Sequence, residues 1–254
     1  MKRRSNRITL RPEARRAVDR ARVALHDRRA RPNLRWLLAL TGASVDRLSN
    51  VLAETGGLVP VESEIRRLHT EGGRPNYAQF RAPFELYALA RLLRPDHIIE
   101  TGVSSGVSSA HFLLALRRNG RGQLHSIDLP TPQRGHRFSA RDSPVALPPG
   151  RGSGWAVPST LRVGWDLRIG ASEAILPRLI EEVGSVGLFL HDSLHTPSHL
   201  TFELTTVRPK LVSGAVVLAD NTIWTGSAFP RFASAVPAPV ARRGRTDLVG
   251  LRVP

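Results

Sequence analysis

The sequence predicts an α/β fold, a doubly wound and mostly parallel sheet with an N-terminal helical cap. Three observations predict it. Short strand-like runs recur through residues 97–253, and amphipathic stretches separate them. The first of these runs, HIIET (97–101), passes straight into a glycine-containing turn that opens a helix. The chain of 254 residues, 41% of them hydrophobic, is long enough to bury one substantial core.

The elements follow in order. In RPEARRAVDRARVALHDRRA (11–30), Ala14, Val18, Ala21 and Leu25 recur at steps of three and four, a narrow apolar stripe on a very basic helix. LRWLLAL and VESEIRRLH continue the helical pattern, and GGRPNYAQ breaks it. A boundary near residue 75 therefore separates a cap, 1–75, from the main domain, 76–254. PFELYALARLL (83–93) is a helix ended by Pro95, HIIET a buried strand, VSSAHFLLALRR (107–118) a helix and QLHSID (123–128) a strand. ASEAILPRLIEEV (171–183) is a helix, VGLFL (186–190) a strand, the stretch around Leu200–Leu204 a helix and AVVLAD (215–220) a strand. TDLVGLRV (246–253) supplies the last strand. Residues 131–160, with five Pro and four Gly, interrupt the alternation as a lid or flexible insertion.

Composition excludes several chemistries. Without cysteine there are no disulfides, thiolate zinc sites, iron–sulfur clusters or cysteine nucleophiles. The longest nearly uncharged apolar run, Trp36–Val45, is far below the roughly twenty residues of a membrane span. No secretory leader pattern opens the chain, so a cytoplasmic location is expected. Residues 1–35 carry +10 of the net +16, which reads either as a solvated basic helix or as an arm for nucleic acid or another polyanion. Arginine outnumbers lysine 35 to 2, in keeping with arginine standing wherever a cation is tolerated.

The turn ETGVSSGVSS (100–109) admits three readings. A dinucleotide site wants G-x-G-x-x-G, but Gly102 and Gly106 stand four apart with no glycine between them. G-V-S-S-G also matches the G-x-S-x-G elbow of α/β hydrolases, with Ser104 as nucleophile, yet no histidine follows His199 to complete a triad. The third reading uses more residues. Gly102 and Gly106 frame the turn, and Asp128 closes the next strand as an acceptor for both ribose hydroxyls. The expected ligand is a nucleoside with a small zwitterionic tail, which S-adenosylmethionine matches, its carboxylate near Ser108 and the helix start.

Over residues 76–254 the sequence resembles class I S-adenosylmethionine-dependent methyltransferases, which have a Rossmann-like fold. It is most similar to small-molecule O-methyltransferases related to catechol methyltransferases and to the antibiotic-tailoring group. IIETGVSSGVSS, HSIDLP, LRIGASEAILPRL (167–179), FLHDSLH and VVLADNT resemble the family's segments in the family's order. The resemblance implies cofactor contacts from Glu100, Gly102, Ser104, Gly106, Ser108 and Asp128, with Ser172 and Glu173 at the edge of the adenine. It also implies a divalent cation, Mg²⁺ or Ca²⁺, on the hard oxygens of Asp192, Asp220 and Asn221, against a hydroxyl of a small-molecule acceptor.

HDSLHTPSHL (191–200) spaces His191, His195 and His199 like a zinc helix, but it follows a strand and Pro197 disfavours one continuous helix. His195, three residues after Asp192, is read as a general base or as a loop-stabilising group; His191 is read as structural, and His199 as lying on the next helix. An RNA-directed methyltransferase or a nucleic-acid-binding protein is the alternative function, prompted by the basic arm. Against it, Lys2 and Lys210 are too few for a lysine-based ribose-methylating site, and no basic–aromatic stripe is present.

Overall fold

A computed structural model describes residues 8–16, 33–71, 83–129, 147, 150–244 and 246–254. Of the expected basic helix over 11–30, residues 12–16 are helical and residues 17–30 lie outside the described set, as do the boundary near residue 75 and residues 131–146 of the insertion. The cap comprises α1 (Leu34–Thr41), α2 (Val45–Ala53) and α3 (Val59–Glu71). Asn33 caps α1 by accepting from the Trp36 amide, and Ser44 caps α2 by accepting from Arg47.

The main body runs α4 (Pro83–Leu93), β1 (His97–Thr101), α5 (Val107–Asn119), β2 (Gln123–Asp128), β3 (Asp166–Ile169), α6 (Ser172–Val183), β4 (Val186–His191), α7 (Pro197–Val207), β5 (Leu211–Ala219), α8 (Ala228–Ala235), β6 (Ala241–Arg242) and β7 (Val249–Arg252). The seven strands lie in the order β3-β2-β1-β4-β5-β7-β6. β3 to β5 are parallel, and β7 joins β5 and β6 antiparallel. Parallel pairing buries both faces, and alternate residues divide between them. Ile98, Leu188, Leu190, Val216 and Leu218 pack with α1, α2, α4 and α5, whereas Ile99, Phe189, Val217 and Ala219 pack with α6, α7 and α8. The cap therefore shares the main core: Leu37, Leu40, Leu48 and Leu52 are buried in the same cluster as α4 and β1.

The chain leaves β1 toward β2 and β3, then returns to place β4 on the other side of β1. Their carboxyl ends diverge there, and such a switch point is where open α/β sheets bind ligands. Gly102, after β1, and Asp192, after β4, meet at that point.

Candidate active site

The glycine turn is fixed by contact as well as by conformation. Gly102 has φ +86°, and a β-carbon there would overlap the Asp192 carbonyl oxygen. The Gly102 amide donates to Ile127 O (2.9 Å) and the Asp192 amide to Thr101 O (2.8 Å), so the ends of β1, β2 and β4 are held together. Gly106, φ +88°, precedes α5, and its open side faces Gly154 and Val157. Ser104 adopts the left-handed conformation (φ 50°) of a nucleophile elbow. Its buried hydroxyl has no hydrogen-bond partner among the described residues, which leaves the hydrolase reading without a base.

Glu100 lies inside the sheet, 0% exposed, beneath the turn. Its Oε2 accepts from Ser109 (2.6 Å) and Ser126 (2.8 Å). Burial pushes its pKa up to about 7, against the hydroxyls of Ser108, Ser109 and Ser126, which favour the charged form. Sequence reasoning expected Ser108 beside the ligand's carboxylate; the structure turns its hydroxyl to Glu100. Asp128 sits at the edge of the turn, where Oδ1 accepts from the Val103 amide (3.0 Å) and Oδ2 from the Ser153 hydroxyl. Amides of Gly154 and Ala156 donate to the carbonyls of Ser104 (2.7 Å) and Ser105 (2.9 Å). The segment 153–157 is thus laid along the turn, a contact hidden in the sequence by its Gly- and Pro-rich setting.

Ser172 and Glu173 begin α6 and both contact His199: Ser172 Oγ is 3.1 Å from Nε2, and Nδ1 donates to Glu173 Oε1 (3.0 Å). His199 is the histidine of the 191–200 stretch that lies on a helix, because α7 begins at Pro197 with Thr196 as its cap. The zinc-helix spacing of His191, His195 and His199 is therefore not one helical face.

His195 Nε2 lies 3.4 Å from Asp192 Oδ1 and 3.4 Å from Asn221 Nδ2, and its ring meets Trp224 edge-on at 5.7 Å between centroids. Burial raises the Asp192 pKa to about 6; hydrogen bonding to His195 opposes this, while the charges of Asp220 and Asp128 add to it. Among the described residues no group of three or more His, Cys, Asp or Glu side chains is placed to hold a metal ion. The set Asp192, Asp220 and Asn221 offers two carboxylates and an amide, with the His195 imidazole against the first and third. Trp224, 41% exposed beside Ile223 at 69%, had no motif to announce it.

Residues 99–222 match a family model described as a methyltransferase domain. Among solved structures, the O-methyltransferase TomG from Streptomyces achromogenes, in complex with S-adenosylmethionine, is 21% identical with a TM-score of 0.53, covering 75% of this chain and 87% of that one. The S-adenosylhomocysteine-bound methyltransferase PaMTH1 from Podospora anserina is 14% identical, TM-score 0.51, over 76% and 87%. An O-methyltransferase from Klebsiella pneumoniae, described as putative, is 18% identical, TM-score 0.52, over 76% and 89%. A search of curated proteins finds no match. The matched domain and the likeness to these structures together give the chain the α/β fold of class I S-adenosylmethionine-dependent methyltransferases.

Proposed function

We propose that the protein transfers a methyl group to a hydroxyl of a small molecule, and that His195 with Asp192 activates that hydroxyl. The observation that carries this reading is His195, set between Asp192 and Asn221 at the switch point and edged by Trp224. S-adenosylmethionine, when bound, supplies a methyl group on a positively charged sulfur. The site fits such a ligand: a carboxylate at the end of β2, a helix start beyond a left-handed glycine, and the Ser172–Glu173 edge beside them. Asp128 would accept from the ribose hydroxyls, the turn from Gly102 through Ser108 would hold the amino-acid tail, and Ser172 and Glu173 would edge the base.

Methyl transfer needs alignment and an acceptor oxygen free of its proton. In this reading His195 removes that proton as general base, and the Asp192 carboxylate orients the imidazole and stabilises its charged form. The partly exposed faces of Trp224 and Ile223 give the acceptor an apolar wall next to the base. Divalent-metal assistance through Asp192, Asp220 and Asn221 belongs to the family resemblance, and no step here passes through it.

Calorimetry with S-adenosylhomocysteine, followed by transfer of labelled methyl from S-adenosylmethionine to a panel of phenols, sugars and RNA, tests the reading. Expected are binding of the homocysteine product and label on a small hydroxylated acceptor. Tight binding of NAD in its place, or label on RNA alone, would overturn it.

A further inference from the structure

Glu203, on α7, is a carboxylate with no exposure, and every hydrogen-bonding direction it has is taken. Oε2 accepts from Thr101 Oγ1 (2.7 Å) and from His191 Nδ1 (2.6 Å). Oε1 accepts from Ser193 Oγ (2.9 Å) and His199 Nε2 (2.9 Å). These four donors belong to three parts of the site. Thr101 is the residue before Gly102, His191 and Ser193 flank Asp192, and His199 reaches Glu173 at the start of α6.

A buried charge of this kind is a poor stabiliser, because well-packed apolar side chains often serve stability as well or better. Its partners also do not belong to one element, as they would if it merely closed a helix or a strand. They lie on β1, β4, the loop after β4 and α7, and the ring of His191 meets that of His195 edge-on, 5.6 Å between centroids. The contact chain Glu173–His199–Glu203–Ser193 is continuous from the adenine edge to the loop that carries Asp192 and His195.

We propose that Glu203 is a positioning residue that transmits occupancy of the adenine end of the cleft to the 191–196 loop, so that cofactor binding sets the loop for catalysis. The proposal rests on the cofactor site argued above. A ligand that fixes Glu173 fixes His199, and through the shared carboxylate it fixes Ser193 and His191. Glutamine at 203 has the same shape but loses the charge, and its amide nitrogen cannot accept the hydrogen bonds that one carboxylate oxygen accepts here.

Hydrogen exchange read by mass spectrometry, with and without saturating S-adenosylhomocysteine, tests this directly. In the native protein the ligand should slow exchange about threefold or more in peptides over 100–108, 170–174 and 191–196. Glu203→Gln should keep the protection at 100–108 and lose it at 191–196. Glu173→Gln, at an exposed helix start where folding is not at stake, should reduce the loop's protection in the same direction. A Glu203 that only supports the fold would raise the loop's exchange equally with and without ligand, and that result would overturn the proposal. Binding by the native protein without protection at 191–196 would do the same while leaving the cofactor reading intact. Failure of the native protein to bind at all would instead remove the cofactor reading, and this inference with it.

Discussion

Gly102 and Asp192 touch backbone to backbone: the space a β-carbon would need on Gly102 is filled by the Asp192 carbonyl. The turn that would cradle the cofactor and the loop that would activate the acceptor are therefore one packed unit. Gly102→Ala must both strain a left-handed backbone, costing about 1 kcal/mol or more, and push the Asp192 loop away. The expected result is a melting temperature lower by several degrees, and S-adenosylhomocysteine affinity reduced about tenfold or more by calorimetry. An alanine variant with native affinity would show that the two segments separate freely.

Asp128 is the polar anchor of the nucleoside end. Its carboxylate accepts from Val103 and Ser153, and each oxygen has a further lone pair for a ribose hydroxyl. Asp128→Ala should weaken S-adenosylhomocysteine by about 1.5–3 kcal/mol, roughly ten- to a hundredfold. Ser153→Ala removes a neighbour and leaves the carboxylate in place, so its effect should be several-fold smaller. Equal losses in the two variants would make Asp128 a support for the 153–157 segment and not a ligand contact.

Sequence patterns exposed the strands that are buried on both faces. HIIET, VGLFL and AVVLA are short, apolar and bounded, so nothing in them competes with a central-strand reading. DLRI does not read as a strand in the sequence because it is the sheet's edge, partly exposed along its length and holding Asp166 and Arg168 as an ion pair. α2 and α8 are not legible either; both are short and lie beside loop-like composition. Gly102, Asp128, Asp192 and Asn221, at the carboxyl ends of the strands, are legible because each closes or follows a strand. Side-chain direction is not legible: Glu100 lies wholly buried beneath the turn, and Glu203 reads as an ordinary helical charge until four donors converge on it. Spacing along the chain likewise does not reveal that His195 stands against Asp192 and Asn221.

Glu100 should make the stability of the fold sensitive to pH. Its pKa is raised from an ordinary 4.5 to about 7, burial being the largest cause. A raised carboxyl holds its proton more tightly in the folded state, so its contribution to stability is full below pH 4.5. That contribution is lost as pH rises through 7. A shift of that size corresponds to about 3 kcal/mol across the window. Glu100→Gln, which can still accept from Ser109 and Ser126, should gain on the native protein by about that amount between pH 4.5 and pH 8 in urea unfolding. Parallel stability curves would show that Glu100 does not ionise in this range.

The last prediction concerns His195, where proton removal must be told apart from positioning. If its imidazole takes the acceptor's proton, His195→Ala should lower kcat about 10²–10⁴-fold with cofactor affinity nearly unchanged, because Asp128 and the glycine turn are intact. Activity should recover in part at high pH, where the acceptor ionises without help; a residue that only shaped the loop gives no such recovery. Asp192→Asn should show a weaker form of the same defect, since the imidazole keeps its place and loses the carboxylate that steadies its charge. Trp224→Ala should act differently, raising KM for the acceptor while the pH dependence stays native, because the ring borders the base without titrating. Chelation completes the comparison. With His195 against Asp192 and Asn221 as the group that prepares the acceptor, a strong chelator should leave turnover unchanged. Loss of activity on chelation, restored by Mg²⁺ and mimicked by Asp192→Asn without alkaline rescue in His195→Ala, would replace the imidazole by a cation as the group that prepares the acceptor.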